Sequence, residues 1–336
     1  MTIGDNLSEQ LDVEPAKFVV HRHSRAQYAC RPCECVVAAA IPPAVIDGGM
    51  AAAGLIAWVP ISQYVDHLPL YRLEQIAARA GVTLARSTLA EWVGRYGVAL
   101  QPLADRLSAR LRLRSLLHAD ETPVQQLDLG PGKTKRAYRW AYRSGELDEG
   151  PPIAVFDYQT GCCGAHARAF LAGWQGHLVV DDYAGYQALF GAGVTEVGCM
   201  ARAWCRFVEL QLANQSLVAG AALPRISELY EIESRGRDLA NAERQSLRER
   251  EARPKLQAMQ DWLQRTRDTV ADGGSLARAM DYSLKRWPAL SRYARSAILP
   301  IDNNPVENNI RPIARGKKNG LFTALRALRD AAPPRS

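Results

Sequence analysis

The chain has 336 residues and a formal net charge of +7, with 42 Lys and Arg against 35 Asp and Glu. Its length suffices for two or three domains, and a hydrophobic fraction of 47% is ordinary for a globular protein. The basic excess is mostly arginine, which binds phosphates and base edges, so it favours an anionic partner with nucleic acid as the leading candidate.

No targeting or membrane segment is predicted. The start of the chain contains several acidic side chains and lacks the apolar core of a signal peptide. The longest apolar run, residues 50–61, is too short to span a bilayer and contains Gly54 and Pro60. Seven cysteines in a chain of this size do not indicate a disulfide framework. We therefore expect a cytoplasmic protein with no membrane partner.

Residues 1–48 are predicted to form a partial zinc-finger-like module. Cys30 and Cys33 have the Cys-x-x-Cys spacing with which two thiolates grip one zinc ion. A tetrahedral site needs four ligands, and the remaining ones would have to come from nearby side chains: His21, His23 and Cys35. The alternative is a pair of free thiols in a β-turn, so Zn²⁺ binding is left open.

Residues 49–114 are predicted to be a helical, DNA-binding region. Gly81 lies in a short break between two helical segments, and Arg86, Ser87 and Thr88 open the second one. This order resembles a helix-turn-helix, in which side chains at the start of the second helix meet phosphates or base edges. Helix pairs joined by glycine are also common in proteins that never bind DNA, so simple helix packing is the alternative.

Residues 115–205 are predicted to form a mixed α/β sheet with helices packed on it. The pattern predicts three successive strands, a helix, a strand, a further helix and a last strand. The predicted elements are strands at 116–127, 136–143 and 153–158, a helix at 165–174, a strand from His177, and a strand at 195–199.

The C-terminal third is predicted to be helical. Residues 206–298 are rich in charges at helical spacing, which is typical of solvated helix faces, and we interpret them as a helical insertion without a site of its own. Residues 299–323 are predicted to contain the last helix of the core. Residues 324–336 are predicted to be a disordered tail.

Two aspartates lie near the ends of predicted core strands. In the first strand, strict alternation places Asp120 on the face of His118 and Glu121 on the opposite face. After the fourth strand, Asp181 shares a face with Val179, so only one of the two adjacent aspartates can face a common site. An unpaired buried carboxylate is costly, so such a residue needs a metal, an arginine or a backbone donor.

A third carboxylate, Glu307, lies between asparagine pairs and a basic run. One interpretation makes Asn304 the N-cap of a helix, with Pro305 at the first position and Glu307 closing a capping box. The other interpretation joins Glu307 to the two aspartates around two divalent ions, for which oxygen ligands favour Mg²⁺ or Mn²⁺ over zinc. Spacing alone favours a different interpretation, in which Asp120 caps a turn at Thr122-Pro123 and Asp181 caps the short helix at Tyr183.

Three segments in the same order carry a family resemblance. They are His118-Ala-Asp-Glu-Thr-Pro, Val180-Asp-Asp-Tyr-Ala-Gly-Tyr, and the stretch from Ile301 to Phe322 that contains Asn-Asn-Pro-Val-Glu-Asn-Asn-Ile-Arg-Pro. Together they resemble the three catalytic blocks of the insertion sequence 66 family of bacterial transposases, and the likeness extends over nearly the whole chain.

This resemblance implies a ribonuclease H-like core of the DDE type. It implies that Asp120, Asp181 and Glu307 are the catalytic acids and hold two Mg²⁺ or Mn²⁺ ions. It further implies cleavage and joining of double-stranded DNA, with the terminal inverted repeats of an element and target DNA as partners. A homo-oligomer and an association with the bacterial nucleoid are the corresponding expectations for assembly and location.

Further roles follow from position around these acids. We expect three residues to support the acids from behind: His118, Asn303 and Asn304. We expect the basic residues of the last helix to contact DNA: Arg311, Arg315, Lys317 and Lys318. Pro312 is predicted to kink or end this helix within two turns of Glu307.

The chain also departs from the family pattern. Arg202 stands where members usually have histidine, and Asp182 stands where glycine is common. Both ends are short by comparison with the family. A truncated remnant that binds DNA without catalysis is therefore the alternative function.

Overall fold

The computed structural model describes residues 17–38, 40, 46, 49–127, 134–147, 150–191 and 193–320. The chain divides into two compact units, residues 1–99 and residues 100–336. The predicted tail at 324–336 and the start of the N-terminal module lie outside the described residues. Within the described ranges, no helix is long and apolar enough to cross a membrane.

The described residues of the first unit form a short hairpin and three helical segments. Strands β1 (Gln27–Ala29) and β2 (Val36–Ala38) pair antiparallel around a turn at 31–33. The helices are α1 (Ala53–Tyr64), α2 (Leu70–Arg79) and the first part of α3 (Arg86–Leu111), which continues into the second unit.

Helices α2 and α3 adopt the predicted helix-turn-helix order. Gly81 has a positive φ of 77°, which lets the chain reverse between the two helices. Leu73 on α2 and Leu89 and Trp92 on α3 are buried in one apolar cluster. The spacing of these residues is helical, so burial of one face fixes the pair.

The second unit is built on a mixed five-stranded sheet. Its strands are β3 (Leu116–Leu127), β4 (Thr134–Ser144), β5 (Ala154–Gln159), β6 (Gly176–Val180) and β7 (Val194–Gly198). Their order across the sheet is β5-β4-β3-β6-β7. The first three strands are antiparallel neighbours, whereas β6 and β7 run parallel to β3. The predicted mixed sheet is therefore confirmed.

Helices cover both faces of the sheet. On one face, α4 (Ala165–Phe170) and a 3-10 turn at Ala184–Leu189 pack on Leu117 and Val180. The predicted helix at 165–174 is too long, because Gly173 adopts a positive φ of 74° in the turn that follows α4.

On the other face, Leu116, Val179 and Val197 pack against the helical block. This block confirms the predicted helical character of the C-terminal third. Its helices are α5 (Met200–Asn214), α6 (Leu217–Gly236), α7 (Asn241–Leu247), α8 (Arg253–Arg267), α9 (Ser275–Lys285) and α10 (Trp287–Leu290).

Helix α11 (Asn304–Gly320) returns to the sheet. Val306 and Ile310 pack on Ala141, which is the cross-strand partner of Asp120. Of the two effects predicted for Pro312, a kink or a helix end, the helix end is wrong, since α11 continues to Gly320. Pro312 lies on an exposed face, where water can satisfy the carbonyl that the missing N–H leaves open.

Candidate catalytic site

The register of the sheet brings Asp120 and Asp181 to the same edge. The parallel pairing of β3 with β6 ends at His118 and Val179. Asp120 lies two residues after His118, and Asp181 lies two residues after Val179. Each aspartate therefore shares a strand face with the residue of that pair. Asp120 and Asp181 are therefore in register with each other, just beyond the carboxyl end of β6.

Helix α11 adds the third carboxylate. Asp120, Asp181 and Glu307 line one pocket of about 330 Å³. The rest of its lining comes from α5 and α11: Arg202, Ile310, Arg311 and Ala314. Among the described residues, a larger groove of about 660 Å³ next to α6 is lined by two ionisable side chains, Glu228 and Glu231. The smaller pocket is the candidate site, because acids from three separate elements line it.

The pocket disfavours charged carboxylates that have no counter-cation. Burial, and then the neighbouring charge of Asp181, raise the pKa of Asp120 to about 7. The same two causes, in the same order, raise the pKa of Glu307. The Oδ1 atom of Asp181 is buried without a hydrogen-bond partner among the described residues. Each of these costs would fall if a cation were bound.

These donors fit a hard divalent ion. All three are carboxylates, which suit Mg²⁺ and Mn²⁺, and the buried Asp181 oxygen still needs a partner. In the part of the chain that the structure describes, no three His, Cys, Asp or Glu side chains are already arranged to hold a metal ion. Repulsion between carboxylates opposes such an arrangement until a cation compensates it.

His118 and Asn303 join β3 to the start of α11. The Nδ1 atom of His118 lies 2.9 Å from Asn303 Oδ1, while Asn303 Nδ2 donates to the carbonyl of Ala119 at 2.9 Å. Because Asn303 Oδ1 can only accept, Nδ1 of His118 carries the proton. Burial lowers the pKa of His118 to about 4, so the ring is neutral. The pair thus connects the strand residues just before Asp120 to the residue that precedes α11.

Asp302 occupies the role that sequence reasoning gave to Glu307. The backbone N–H of Asn304 donates to Asp302 Oδ1 at 3.1 Å, and its side-chain amide donates to Oδ2 at 2.8 Å. The carbonyl of Asn303 accepts from the N–H of Glu307 at 3.3 Å. The capping box with Asn304 as N-cap is therefore wrong, and the Glu307 carboxylate lines the pocket instead.

The capping alternatives for the aspartates are also wrong. Thr122 and Pro123 lie inside β3, so Asp120 has no turn to cap, and its Oδ1 accepts the N–H of Glu121 at 2.9 Å. The 3-10 turn after Asp181 starts at Ala184, and among the described residues no side chain caps it. Neither carboxylate serves as a cap, and both line the pocket.

Glu121 lies on the opposite face, as the alternation predicts. The hydroxyl of Tyr186 donates to Glu121 Oε2 at 3.2 Å. Burial, and then the charge of Asp120, raise the pKa of Glu121 to about 8. Neither Tyr186 nor Asp302 was singled out by the sequence, because both act through contacts between distant segments.

The predicted DNA-contacting residues lie in both units. Arg86 and Ser87 are exposed at the start of α3 and Thr88 is half-buried, while Arg86 Nη2 lies 3.4 Å from Glu74 Oε2. Arg311 lines the acidic pocket and Arg315 is exposed on the same helix. Two further basic residues belong to α11, but their side chains lie outside the described part: Lys317 and Lys318.

Cys30 and Cys33 flank the turn of the N-terminal hairpin. Both thiols are exposed, and the N–H of Cys30 donates to the carbonyl of Cys35 at 2.9 Å. Hydrogen bonds to the Cys35 backbone, and then to the Cys30 and Cys35 side chains, lower the pKa of Cys33. Zinc binding by these thiols stays a prediction.

Comparison with known sequences decides the family. The profile described as "Transposase IS66 family" matches residues 48–327, which is most of the chain. The chain belongs to the IS66 family of transposases. The profile "zinc-finger binding domain of transposase IS66" matches residues 1–34 of this IS66 protein. With the sheet order above, the predicted ribonuclease H-like fold class and the predicted family are confirmed.

Similar IS66 relatives come from Sinorhizobium fredii (strain NBRC 101917 / NGR234). "Uncharacterized protein y4qI" is 34% identical over an alignment of 331 residues, which covers 95% of this chain and 61% of the relative. "Uncharacterized protein y4jD" is 32% identical over 331 residues, covering 95% of this chain and 65% of the relative. The chain thus spans less than two thirds of the length of these relatives.

Proposed function

We propose that this IS66 protein is a DDE transposase that cuts and joins DNA strands at the ends of an insertion sequence. Asp120, Asp181 and Glu307 are the proposed catalytic acids and would hold two Mg²⁺ or Mn²⁺ ions. The observation that carries the proposal is that acids from β3, from the end of β6 and from α11 line a single pocket. The three acids lie far apart in the sequence, so their meeting in one pocket is explained most simply by a shared function.

The proposed roles of the pocket residues follow from their charges. When bound, the ions would activate a water or a DNA 3′ hydroxyl and stabilise the leaving oxygen of the phosphodiester. Asp120, Asp181 and Glu307 would supply negative charge for the ions, and the guanidinium of Arg311, which lines the same pocket, would bind a DNA phosphate. His118 and Asn303 keep β3 and α11 in place behind the acids.

We propose two DNA-contacting surfaces. Arg86, Ser87 and Thr88 would meet the duplex from α3, and the basic end of α11 would meet the backbone near the cut: Arg311, Arg315, Lys317 and Lys318. Inverted repeats of the element and target DNA are the proposed partners. Each arginine that contacts a phosphate contributes about 0.9 to the slope of log affinity against log salt concentration, so R86Q and R315Q should each lower it by about that amount.

Strand cleavage tests the catalytic assignment. Purified protein is incubated with labelled duplexes that carry the inverted ends of the element, with Mg²⁺, with Mn²⁺ or with EDTA. We expect metal-dependent nicks or joined strands for the wild type and for the control D272N, whose carboxylate is exposed on the helical block. D120N, D181N and E307Q should bind the same duplexes without cutting them. Cleavage by D181N at the wild-type rate would show that the acids are wrongly assigned.

The alternative is a protein that binds DNA without catalysis. Arg202 favours it, because its guanidinium lines the acidic pocket and lowers the pKa of Asp120 and Glu307, although more weakly than burial raises them. A cation supplied by the chain competes with an ion from solution. Salt-sensitive binding of the duplexes by the wild type, with no product in any metal, would support this alternative.

A further inference from the structure

The turn that carries Asp181 has a strained backbone. Asp182, the next residue, has a φ of 105°, a conformation that favours glycine and that other residues adopt only when their surroundings enforce it. Because Asp181 and Asp182 share a peptide bond, a contact that holds Asp182 in place also restrains the backbone of Asp181 at the end of β6.

The side chain of Asp182 is bound by an arginine of the helical block. Arg286 lies between α9 and α10, and its side chain is only 7% exposed. Its Nη1 atom contacts Asp182 Oδ1 and its Nη2 atom contacts Glu196 Oε1 on β7. One guanidinium therefore joins two carboxylates, one on the strained turn and one on the neighbouring strand.

A second contact from the same helix reaches the same turn. The hydroxyl of Tyr282 on α9 donates to the backbone carbonyl of Asp181 at 3.2 Å. The guanidinium of Arg206 lies 4.1 Å from the centre of the Tyr282 ring, which fixes the ring from the α5 side. Backbone and side chain of the turn are thus both tied to helices that lie outside the sheet.

We infer that Arg286 is a positioning residue that holds Asp182 in its strained conformation and thereby aims Asp181 at the acidic pocket. The inference rests on the proposed function in one respect, namely that the Asp181 carboxylate binds a metal ion. It assigns a role to the helical block, which was predicted to have no site of its own. The block acts on the metal site through the turn at Asp181 and Asp182, because it contacts both residues.

A suppressor experiment tests the direction of this effect. Mn²⁺ binding is measured by calorimetry for wild type, R286M, D182G and R286M/D182G. Loss of a residue that orients a metal ligand costs about tenfold or more in affinity, so R286M should bind Mn²⁺ at least about tenfold more weakly. Glycine adopts the conformation of residue 182 without help, so D182G should bind within about threefold of wild type.

The double variant decides between positioning and general damage. If Arg286 acts through Asp182, R286M/D182G should recover most of the affinity that R286M loses, because glycine needs no guanidinium to hold the turn. If the double variant binds as weakly as R286M, the inference is overturned. R286K is the second variant should R286M fail to fold, since one ammonium keeps the charge but cannot reach both carboxylates as the guanidinium does.

A matched arginine in the same block serves as control. Arg267 also joins two carboxylates, those of Asp272 and Asp281, but it does so on the surface of the helical block. R267M should leave Mn²⁺ affinity unchanged. An equal loss of affinity in R267M and R286M would mean that any weakened helical block impairs the site, which would overturn the specific role of Arg286.

Hydrogen exchange separates failure of this inference from failure of the proposed function. Peptides that cover 176–186 should exchange faster in R286M than in wild type, and D182G in the R286M background should restore slow exchange there. This measurement needs no metal. If the wild type binds no Mn²⁺ but exchange responds in this way, the proposed metal site fails while the role of Arg286 stands. Unchanged exchange at 176–186 in R286M overturns the inference in either case.

Discussion

His118 on β3 and Asn303 at the start of α11 are joined by a hydrogen bond of 2.9 Å across 185 positions of sequence. Both side chains are fully buried. Asn303 also donates to the Ala119 carbonyl, so one amide ties the strand that carries Asp120 to the helix that carries Glu307. This contact therefore links the elements that carry the two acids, which lie far apart in sequence.

Removal of the Asn303 side chain should loosen that connection. N303A leaves the His118 ring and the Ala119 carbonyl buried without a partner, at a cost of about 1–3 kcal/mol for each unpaired group. We expect a lower free energy of unfolding in urea together with weaker Mn²⁺ binding. N308A is the control, because Asn308 is exposed on the same helix. Equal stability of N303A and N308A would contradict the role given to Asn303.

The small side chain of Ala141 should set the distance between α11 and Asp120. Val306 and Ile310 pack directly on Ala141, so A141L would force α11 away from the sheet. Overpacking of this kind costs about 1–3 kcal/mol. Ala137, which is also buried on β4, provides a control with A137L. We expect both variants to lose stability but only A141L to lose Mn²⁺ affinity, and equal affinities would count against the packing argument.

Metal affinity should depend on pH through Asp120. Burial and Asp181 raise the pKa of Asp120 to about 7, and an ion must displace this proton in order to bind. Calorimetric Mn²⁺ affinity should therefore fall by about tenfold per pH unit below about pH 7 for each displaced proton. Constant affinity from pH 6 to pH 8 would contradict the shifted pKa.

The metal-free protein should show the opposite trend. The folded pKa of Asp120 exceeds its ordinary value of 3.8, so this group stabilises the fold most at low pH, and its contribution is lost as pH rises through about 7. The neutral His118, whose pKa is lowered to about 4, changes stability in the other direction between pH 4 and its ordinary 6.5. The difference between wild type and D120N in thermal unfolding isolates the aspartate, since His118 is present in both.

Arg202 should weaken ion binding. At a pH above the raised pKa values of the acids, the positive charge of Arg202 repels an incoming cation, so R202Q should bind Mn²⁺ more tightly. Arg202 is exposed, and single exposed charges are worth about 0.2–1 kcal/mol, which corresponds to about a 1.4- to 5-fold change. R278Q, at an exposed arginine of α9, should have no effect. Weaker binding by R202Q would mean that Arg202 supports the site.

The strand faces were predictable from the sequence. Period-two alternation assigned Asp120 and Glu121 to opposite faces, and the structure agrees, because a buried sheet tolerates no slip of one residue. The role of Asp302 was not predictable, since Asp302 and Glu307 are equally good acceptors for the Asn304 N–H. Which of the two accepts this N–H depends on Tyr230 of α6. Tyr230 lies 72 positions before Asp302 and donates to Asp302 Oδ2 at 2.9 Å.

The contacts of Arg286 show the same limit. Asp182 and Glu196 lie 104 and 90 residues before it, and no local pattern relates an arginine at a helix end to a turn in the sheet. The continuation of α11 beyond Pro312 also depends on tertiary packing, because Val306 and Ile310 anchor the helix before the proline. Sequence patterns fixed the local faces, whereas long-range contacts decide how the site is held.

The central claim is that Asp120, Asp181 and Glu307 bind divalent ions together. Anomalous diffraction from crystals of the wild type soaked in Mn²⁺ tests it most directly. We predict manganese peaks within bonding distance of carboxylate oxygens from all three residues, and loss of those peaks in D181N. Manganese bound elsewhere, with Glu307 far from both aspartates, would contradict the account.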